Sequence, residues 1–300
     1  MYACCNIKKF LKLLVIDAVV IGLSFLVFTI GKTVSGSSAS SGGDKAVPMP
    51  VIMYHSVYET SPTEYIITPS QLDSDLAWLS ENGFTSVSAE ELVQYVHGKG
   101  ELPEKPVLIT FDDGHYNNLS EALPIFEKYD MCFIVSVVGK YTDSLAAADP
   151  HNSSYSYLTW NDISELISSG RVEIGNHTYD MHSLSGARKG CSRMEGESEE
   201  QYRSALSDDI SLLQNDIRAA CGYVPFVFAY PYGKISPESI PVLRDMGFMM
   251  TLTCYERMNF ITRDPDCLFN IDRFNRSGLL STNDFMSVML NEQKNKAECT

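Results

Sequence analysis

Two adjacent acids, Asp112 and Asp113, follow the apolar run Val107–Phe111 and stand directly before Gly114. An apolar run of this kind reads as a buried strand, and a glycine after it lets the backbone turn so that both carboxylates reach one cavity. Two imidazoles, His177 and His182, follow a second short strand-like segment, Val172-Glu173-Ile174. Their five-residue spacing is about 140° around an ideal helix, so they cannot share a helix face and need an irregular loop. Asp113, His177 and His182 together offer one carboxylate and two imidazoles, a set that suits Zn²⁺, with Co²⁺ or Ni²⁺ as alternatives. Three protein ligands leave a position open for water, as a catalytic metal site requires. Two buried carboxylates side by side need a cation or a proton to offset their repulsion. With Asp113 on the cation, Asp112 is free to accept a proton from an attacking water. Taken singly, each motif has an ordinary reading: an acidic turn for Asp-Asp-Gly, loop decoration for the histidine pair.

Such side chains must be brought together by the frame, and the pattern predicts alternating strands and helices. Strands are expected at Val51–Tyr54, Phe84–Val87, Val107–Phe111, Met131–Val138, Val172–Ile174, Pro225–Ala229, Phe248–Thr253 and Leu268–Ile271. Helices are expected at Pro69–Glu81, from Ser88 towards His97, at Leu119–Tyr129, Trp160–Ser169, from Ser198 to about Ala220, from Ser236, and at Thr282–Leu290. Ser88-Ala89-Glu90-Glu91 is a capping box, and Ser198 with Gln201 forms another. Strands rich in Val, Ile and Phe imply a parallel sheet covered on both faces, and about seven such units favour a barrel over an open sheet. His55, Asp112, Asp113, His177 and the run Tyr230-Pro231-Tyr232-Gly233 all fall just past strand C-terminal ends. In parallel α/β folds those ends share one face, and that face carries the chemistry.

The 300-residue chain has a net charge of −15 and 44% hydrophobic residues, ample for a core. The first 45 residues hold five lysines and two aspartates, so residues 46–300 carry −18. A body that acidic repels phosphate backbones, which argues against nucleic acid as a partner. Lys8, Lys9 and Lys12 precede an apolar run, 13–30, interrupted only by Asp17. That length is at the lower limit for crossing a bilayer, and the lysines place the N-terminus in the cytoplasm. Residues 1–31 are therefore expected to form a cytoplasmic stub and transmembrane anchor, or a signal peptide cleaved near Ser37-Ser38-Ala39. Residues 32–46 form a Ser/Gly linker, and 47–300 the folded body. The body is thus expected outside the cytoplasm, tethered or secreted. Of eight cysteines, none lies in a zinc-type spacing; Cys191, Cys221, Cys254 and Cys267 could form one or two bridges that the sequence cannot pair.

Thr110-Phe-Asp-Asp-Gly114, His177-Thr-Tyr-Asp-Met-His182 and Ala229-Tyr-Pro-Tyr-Gly233 together resemble the motifs of the polysaccharide deacetylases, carbohydrate esterase family 4 with the NodB-homology fold. The resemblance covers roughly residues 48–290. It implies an irregular (β/α)₇ barrel and metal-dependent removal of acetyl groups, usually from N-acetylated sugars. Two departures stand out. The usual histidine spacing is four, and Met181 stands where the second histidine would be; the usual arginine of the third motif is replaced by Ala229-Tyr230. Both departures, with Pro50-Val-Ile-Met-Tyr-His-Ser-Val57, resemble the poly-N-acetylglucosamine exopolysaccharide deacetylases. In that branch the general acid comes from the Met-Tyr-His motif, which points to His55; the late histidine motif of other members has no counterpart here, as no histidine follows His182. The resemblance further implies a backbone N–H of Tyr232 on the oxyanion. It also suggests that Arg273 pairs with Asp112 in place of the missing arginine. Tyr230, Pro231, Tyr232 and Trp160 could offer stacking surface to sugar rings. His115 is expected to line the cleft without a catalytic part.

The implied function is removal of N-acetyl groups from a β-linked N-acetylglucosamine polysaccharide at the cell surface, by a monomer. Peptidoglycan, chitooligosaccharides or an O-acetylated glycan remain alternative substrates. A non-catalytic carbohydrate-binding relative would be expected to lack at least one of Asp112, Asp113, His177 and His182, and all four are present.

Overall fold

The computed structural model describes residues 46–145 and 149–297. The expected membrane anchor and linker lie outside the described residues. Among the described residues, no helix is long and apolar enough to cross a membrane.

In chain order the elements are β1 (Val47–Met49), β2 (Val51–Tyr54), β3 (Ser56–Val57), β4 (Ile66–Ile67), α1 (Pro69–Glu81), β5 (Thr85–Ser86), α2 (Ala89–Val96) and β6 (Pro106–Phe111). A π turn (Asn118–Ala122) leads into α3 (Leu123–Lys128), followed by β7 (Phe133–Val137), α4 (Trp160–Ser168), β8 (Val172–Asn176) and α5 (Glu199–Cys221). Then come β9 (Val227–Ala229), α6 (Ser239–Asp245), β10 (Met250–Leu252), β11 (Asn259–Ile261), β12 (Phe274–Asn275) and α7 (Thr282–Ala297). Local chemistry sets the helix starts. Thr68 with Gln71, Ser88 with Glu91, Thr159 with Asp162 and Ser198 with Gln201 each close a reciprocal capping box. Each box satisfies two N–H groups that a helix start would otherwise leave unpaired. Helix α5 stops at Gly222, which adopts φ 66°, a conformation glycine takes without steric cost.

Seven parallel strands pair in the order β10-β9-β8-β7-β6-β2-β12, and β5 adds to β6. The sheet is curled, because its two edges meet on one segment. The Ile271 N–H donates to Thr251 and its carbonyl accepts from Thr253, both at 2.8 Å, on the β10 side. Three residues on, Phe274 and Asn275 pair with Ile52 and Met53 of β2. Alternation along the strands sorts the core. Val51, Leu108, Ile134, Val227, Ala229, Met250 and Leu252 share one apolar cluster with α2. Ile52, Tyr54, Ile109, Phe111, Val135 and Val137 face α1, α3 and α4 instead. Asp112, two residues beyond Thr110 and four beyond Leu108, continues the first of these faces.

The expected strand Leu268–Ile271 is corrected. Pro265–Leu268 is a 3₁₀ turn, and Asn270 adopts φ 64°. Only Ile271 bridges to Leu252, so apolar content there reflects packing and not a strand. The Leu119–Tyr129 helix also differs, opening as the π turn whose Asn118 is drawn to the β2–β3 loop. None of the five described cysteines is bridged. A buried pin fixes the closing segment from outside the sheet. Both Asp75 oxygens of α1 accept from Arg276, and they also accept from Tyr54 and Thr282.

Candidate active site

The ends of β2, β6, β8 and β9 at one mouth of the curled sheet carry the polar groups. After β6 the chain turns through Asp113 (φ 71°) and Gly114 (φ 70°). A Cβ on Gly114 would lie 3.0 Å from Val137 Cγ1, so the position needs both the backbone freedom and the small size of glycine. After β8, Thr178 takes φ 74°, and after β9, Tyr232 takes φ 56°. Left-handed conformations at non-glycine residues cost about 1–3 kcal/mol each and persist where surrounding structure enforces them. All three cluster here.

Asp113, His177 and His182 offer ligand atoms that lie within 4.8 Å of one another. Three details test whether a cation fits. Asp113 Oδ1 is buried with no hydrogen-bond partner, although His182 Nε2 lies 3.0 Å away and His177 Nε2 3.7 Å away. His177 Nδ1 is 2.8 Å from the Ala229 carbonyl, which can only accept, so Nδ1 carries the proton. The lone pair on His177 Nε2 therefore faces Asp113 Oδ1 at 3.7 Å and Asp112 Oδ2 at 3.9 Å. A lone pair aimed at two carboxylates is repulsive unless a cation lies between them. Burial outweighs the upward pull of Asp112 and, with His182 acting in the same direction, brings the His177 pKa down to about 4, so its imidazole stays neutral and able to ligate. The residues present fit a divalent cation.

Asp112 and Arg273 form the neighbouring unit. Arg273 Nη1 donates to Asp112 Oδ1 and Nη2 to Oδ2, each at 2.7 Å, and Arg273 is wholly buried. Its Nε donates to the Thr253 carbonyl and Nη1 also to Thr110 Oγ1, which fixes the fork. Burial opposes ionisation of Asp112, but the Arg273 charge and then His177 outweigh it, and its pKa lies below the usual carboxylate value. For Asp113, burial is likewise outweighed, here by the imidazoles of His115 and His182, and its carboxyl is held well below the usual range.

His55 follows β2 at the same mouth. Its Nδ1 is buried without a partner, and its ring meets Tyr65 edge-on at 5.0 Å between centroids. Burial lowers its pKa, with Asp113 and Asp112 pulling the other way. The Asn118 side chain donates to the His55 carbonyl at 2.9 Å, and Asn117 accepts from the Val57 N–H, so the π turn holds the loop that carries His55.

Two groups escaped the sequence reading, Tyr141 and Tyr157, which join the expected Tyr232 around His182 and His115. Tyr141 and Tyr232 place their hydroxyls 3.0 and 3.1 Å from His182 Nδ1, and Tyr157 continues this aromatic wall from Tyr141 to His115. Tyr157 has its pKa pushed up to about 12, chiefly by burial and then by Asp113. Tyr141 opens a short π turn (Tyr141–Leu145) and Tyr157 forms an isolated bridge to His115, and neither position is marked by strand or helix periodicity. The third-motif aromatics divide. Tyr232 is 42% exposed at the mouth. Tyr230 is corrected: its ring is fully buried against Phe228 and its hydroxyl pairs with Ser239, which leaves no face for a sugar. Pro231 is buried as well. Trp160 opens α4 with its indole N–H on Asp143, and packs partly against the core. His115 lies 3.7 Å from Asp113 Oδ2 and stacks on Tyr157.

A curled parallel α/β sheet with this cluster at its mouth defines a polysaccharide deacetylase: the pattern of that family matches residues 99–251, and the chain belongs to it. Among curated relatives, the poly-β-1,6-N-acetyl-D-glucosamine N-deacetylase of Escherichia coli K12 is 26% identical over 222 residues, 67% of this chain and 33% of that protein. The chain thus spans about a third of the length of that relative. The Staphylococcus epidermidis protein of the same name is 25% identical over 228 residues, 76% of this chain and 72% of its own length. Among solved structures, IcaB from Ammonifex degensii superposes with a TM-score of 0.65 at 25% identity, covering 83% of this chain and 97% of that one.

Proposed function

We propose that the chain is a metal-dependent N-deacetylase of a β-linked N-acetylglucosamine polysaccharide, acting at the cell surface. The convergence of Asp113, His177 and His182 beside the Asp112–Arg273 pair carries this reading. The names of the curated relatives support poly-β-1,6-N-acetylglucosamine as the polymer. The apolar run 13–30 supports a tether that keeps the body outside the cytoplasm, and the meeting of both sheet edges on residues 271–275 supports the irregular (β/α)₇ barrel.

Asp113, His177 and His182 would hold the divalent cation, with zinc the best match to the donor set. Bound there, it supplies Lewis-acid polarisation of the acetamide carbonyl and makes an attacking water more acidic. Asp112, kept ionised by Arg273, accepts a proton from that water as its oxygen bonds to the acetyl carbon. The Tyr232 N–H would donate to the developing oxyanion. His55 gives a proton to the amide nitrogen as the C–N bond breaks, which releases acetate and the free sugar amine. The exposed ring of Tyr232 offers stacking surface at the mouth.

The test is acetate release by the full chain loaded with Zn²⁺, on β-1,6-linked N-acetylglucosamine oligomers, chitooligosaccharides, peptidoglycan and acetylated xylan. Release from the first is expected. Release only from another of these glycans would correct the substrate, and release from none would end the enzyme reading.

A further inference from the structure

Both histidines of the cluster stand at the ends of one irregular loop, His177 to His182, and little inside that loop can hold it in shape. Its second residue, Thr178, is left-handed, and four residues separate the two rings. The support comes from outside, from the long helix α5. Asp209, in the middle of that helix, turns its carboxylate onto the loop and not towards solvent. Its Oδ1 accepts the Tyr179 N–H at 2.8 Å and its Oδ2 the Asp180 N–H at 2.9 Å. One carboxylate thereby binds two consecutive main-chain donors, both between the histidines.

Other contacts act in the same sense. Asn176 Oδ1 accepts the Thr178 N–H at 2.8 Å while its Nδ2 donates to the Ile210 carbonyl, next to Asp209 on α5. From the other side, the Gly139 and Lys140 N–H groups donate to the Thr178 and Tyr179 carbonyls. Met181 packs against the cluster of Cys191, Tyr202, Leu206 and Phe228. The extra residue of the five-residue spacing is therefore turned partly into this cluster, which leaves His182 to face the site.

We infer that Asp209 is a positioning residue: it clamps the Tyr179 and Asp180 amides and so holds His177 and His182 at the spacing a cation needs before one arrives. This rests on the metal reading given above. A loop ordered in advance loses less conformational freedom on binding, so its clamp sets affinity more than it sets the fold. Groups that orient ligands in this indirect way typically change metal affinity by about 10–100-fold when altered.

The experiment titrates Co²⁺ and Zn²⁺ into the full metal-free chain, following Co²⁺ by its visible absorption and Zn²⁺ by competition with a chelating dye. Asp209→Asn keeps size and helix but offers one acceptor where two amides donate. Its Kd is expected to rise about 10–100-fold, while the thermal transition of the metal-free protein stays close to wild type. Asp208→Asn, on the exposed side of the same helix turn, is expected to leave Kd unchanged. An Asp209→Asn protein that binds both ions as tightly as wild type overturns the inference, whatever its thermal stability. If that variant does not fold, hydrogen exchange on the metal-free wild type decides. The Tyr179 and Asp180 amides are expected to be protected before any ion is added. Protection that develops only on adding Zn²⁺ would overturn the clamp. A wild-type chain that takes up neither ion defeats the metal reading itself, and so is distinguishable from failure of the Asp209 assignment.

Discussion

Both carboxylate oxygens of Asp112 are engaged by Arg273, at 2.7 Å each, and neither side chain is more than 3% exposed. The two residues are 161 positions apart, one directly after β6 and the other in the stretch on which the sheet edges meet. A parallel fork of charged hydrogen bonds holds the carboxylate ionised and fixes the plane in which it can accept a proton.

Arg273→Lys keeps a positive charge but loses the fork. We expect kcat/KM to fall about 10²-fold, within the usual contribution of a positioned base. The direction of the pH effect follows from the lowered pKa of Asp112. Ionised Asp112 is the working form, and a depressed pKa keeps it ionised as pH falls. Weakening the arginine contact lets burial raise that pKa, so the variant becomes protonated at pH values where wild type is still active. The acid limb of kcat/KM should therefore move to higher pH. A pH–rate profile with the limb in its wild-type position would refute the assignment.

Asp113 is predicted to be needed for the cation. Asp113→Asn removes the charge whose Oδ1 faces both histidines, at 3.0 and 3.7 Å. Metal content after Zn²⁺ loading and gel filtration should drop from about one ion per chain to near none, with acetate release lost in parallel. Chelator treatment of the wild type should reproduce that loss, and Zn²⁺, Co²⁺ or Ni²⁺ should restore it. A variant that retains full metal content would exclude Asp113 as a ligand.

His55 is separable from the metal by the same measurements. Among the described residues no ion pair joins it to Asp113, and its Nδ1 is buried and unpaired. His55→Ala should lower kcat by about 10²–10⁴ while metal content stays at the wild-type level. Loss of metal together with activity would instead make His55 part of the ligand set, and unchanged kcat would remove it from the mechanism.

Much of this was legible in the sequence because the signals are local. The capping boxes at Ser88 and Ser198 depend only on residues three apart, and β6 is marked by an unbroken apolar run ending in two acids. What was not legible depends on long-range packing. Arg273 could be named as a partner for Asp112, but its rigid seating on Thr253 and Thr110 is a product of the curled sheet. Tyr230 lies two residues after Phe228, so alternation already puts both rings on the helix-covered face; the proximity of the motif obscured that. Tyr141 reaches His182 from a short π turn, Tyr157 reaches His115 from a loop, and Asp209 reaches the histidine loop from a helix about 30 residues downstream in sequence. Neither spacing nor composition marks such contacts.

The same logic predicts where the fold is most sensitive away from the chemistry. Asp75 and Arg276 are both buried, and the four donors on Asp75 come from β2, α7 and the segment that closes the sheet. Arg276 also donates its N–H to the Met53 carbonyl, so the pin and the closing segment are one unit. Asp75→Ala would leave the buried guanidinium with only the Ser277 and Leu280 carbonyls and no counter-charge, which costs about 3–5 kcal/mol. For a body of this size that should lower Tm by roughly 10 °C, as read by circular dichroism on the metal-free chain. Asp75→Asn keeps one acceptor and should lose less. Because Arg276 lies three residues beyond Arg273, loosening the pin should also soften the seat of Asp112, so kcat of Asp75→Ala should fall more steeply with temperature than that of wild type. A Tm change under about 2 °C would mean that water reaches Arg276 once the carboxylate is gone, and that the closing segment is held by its strand pairing alone.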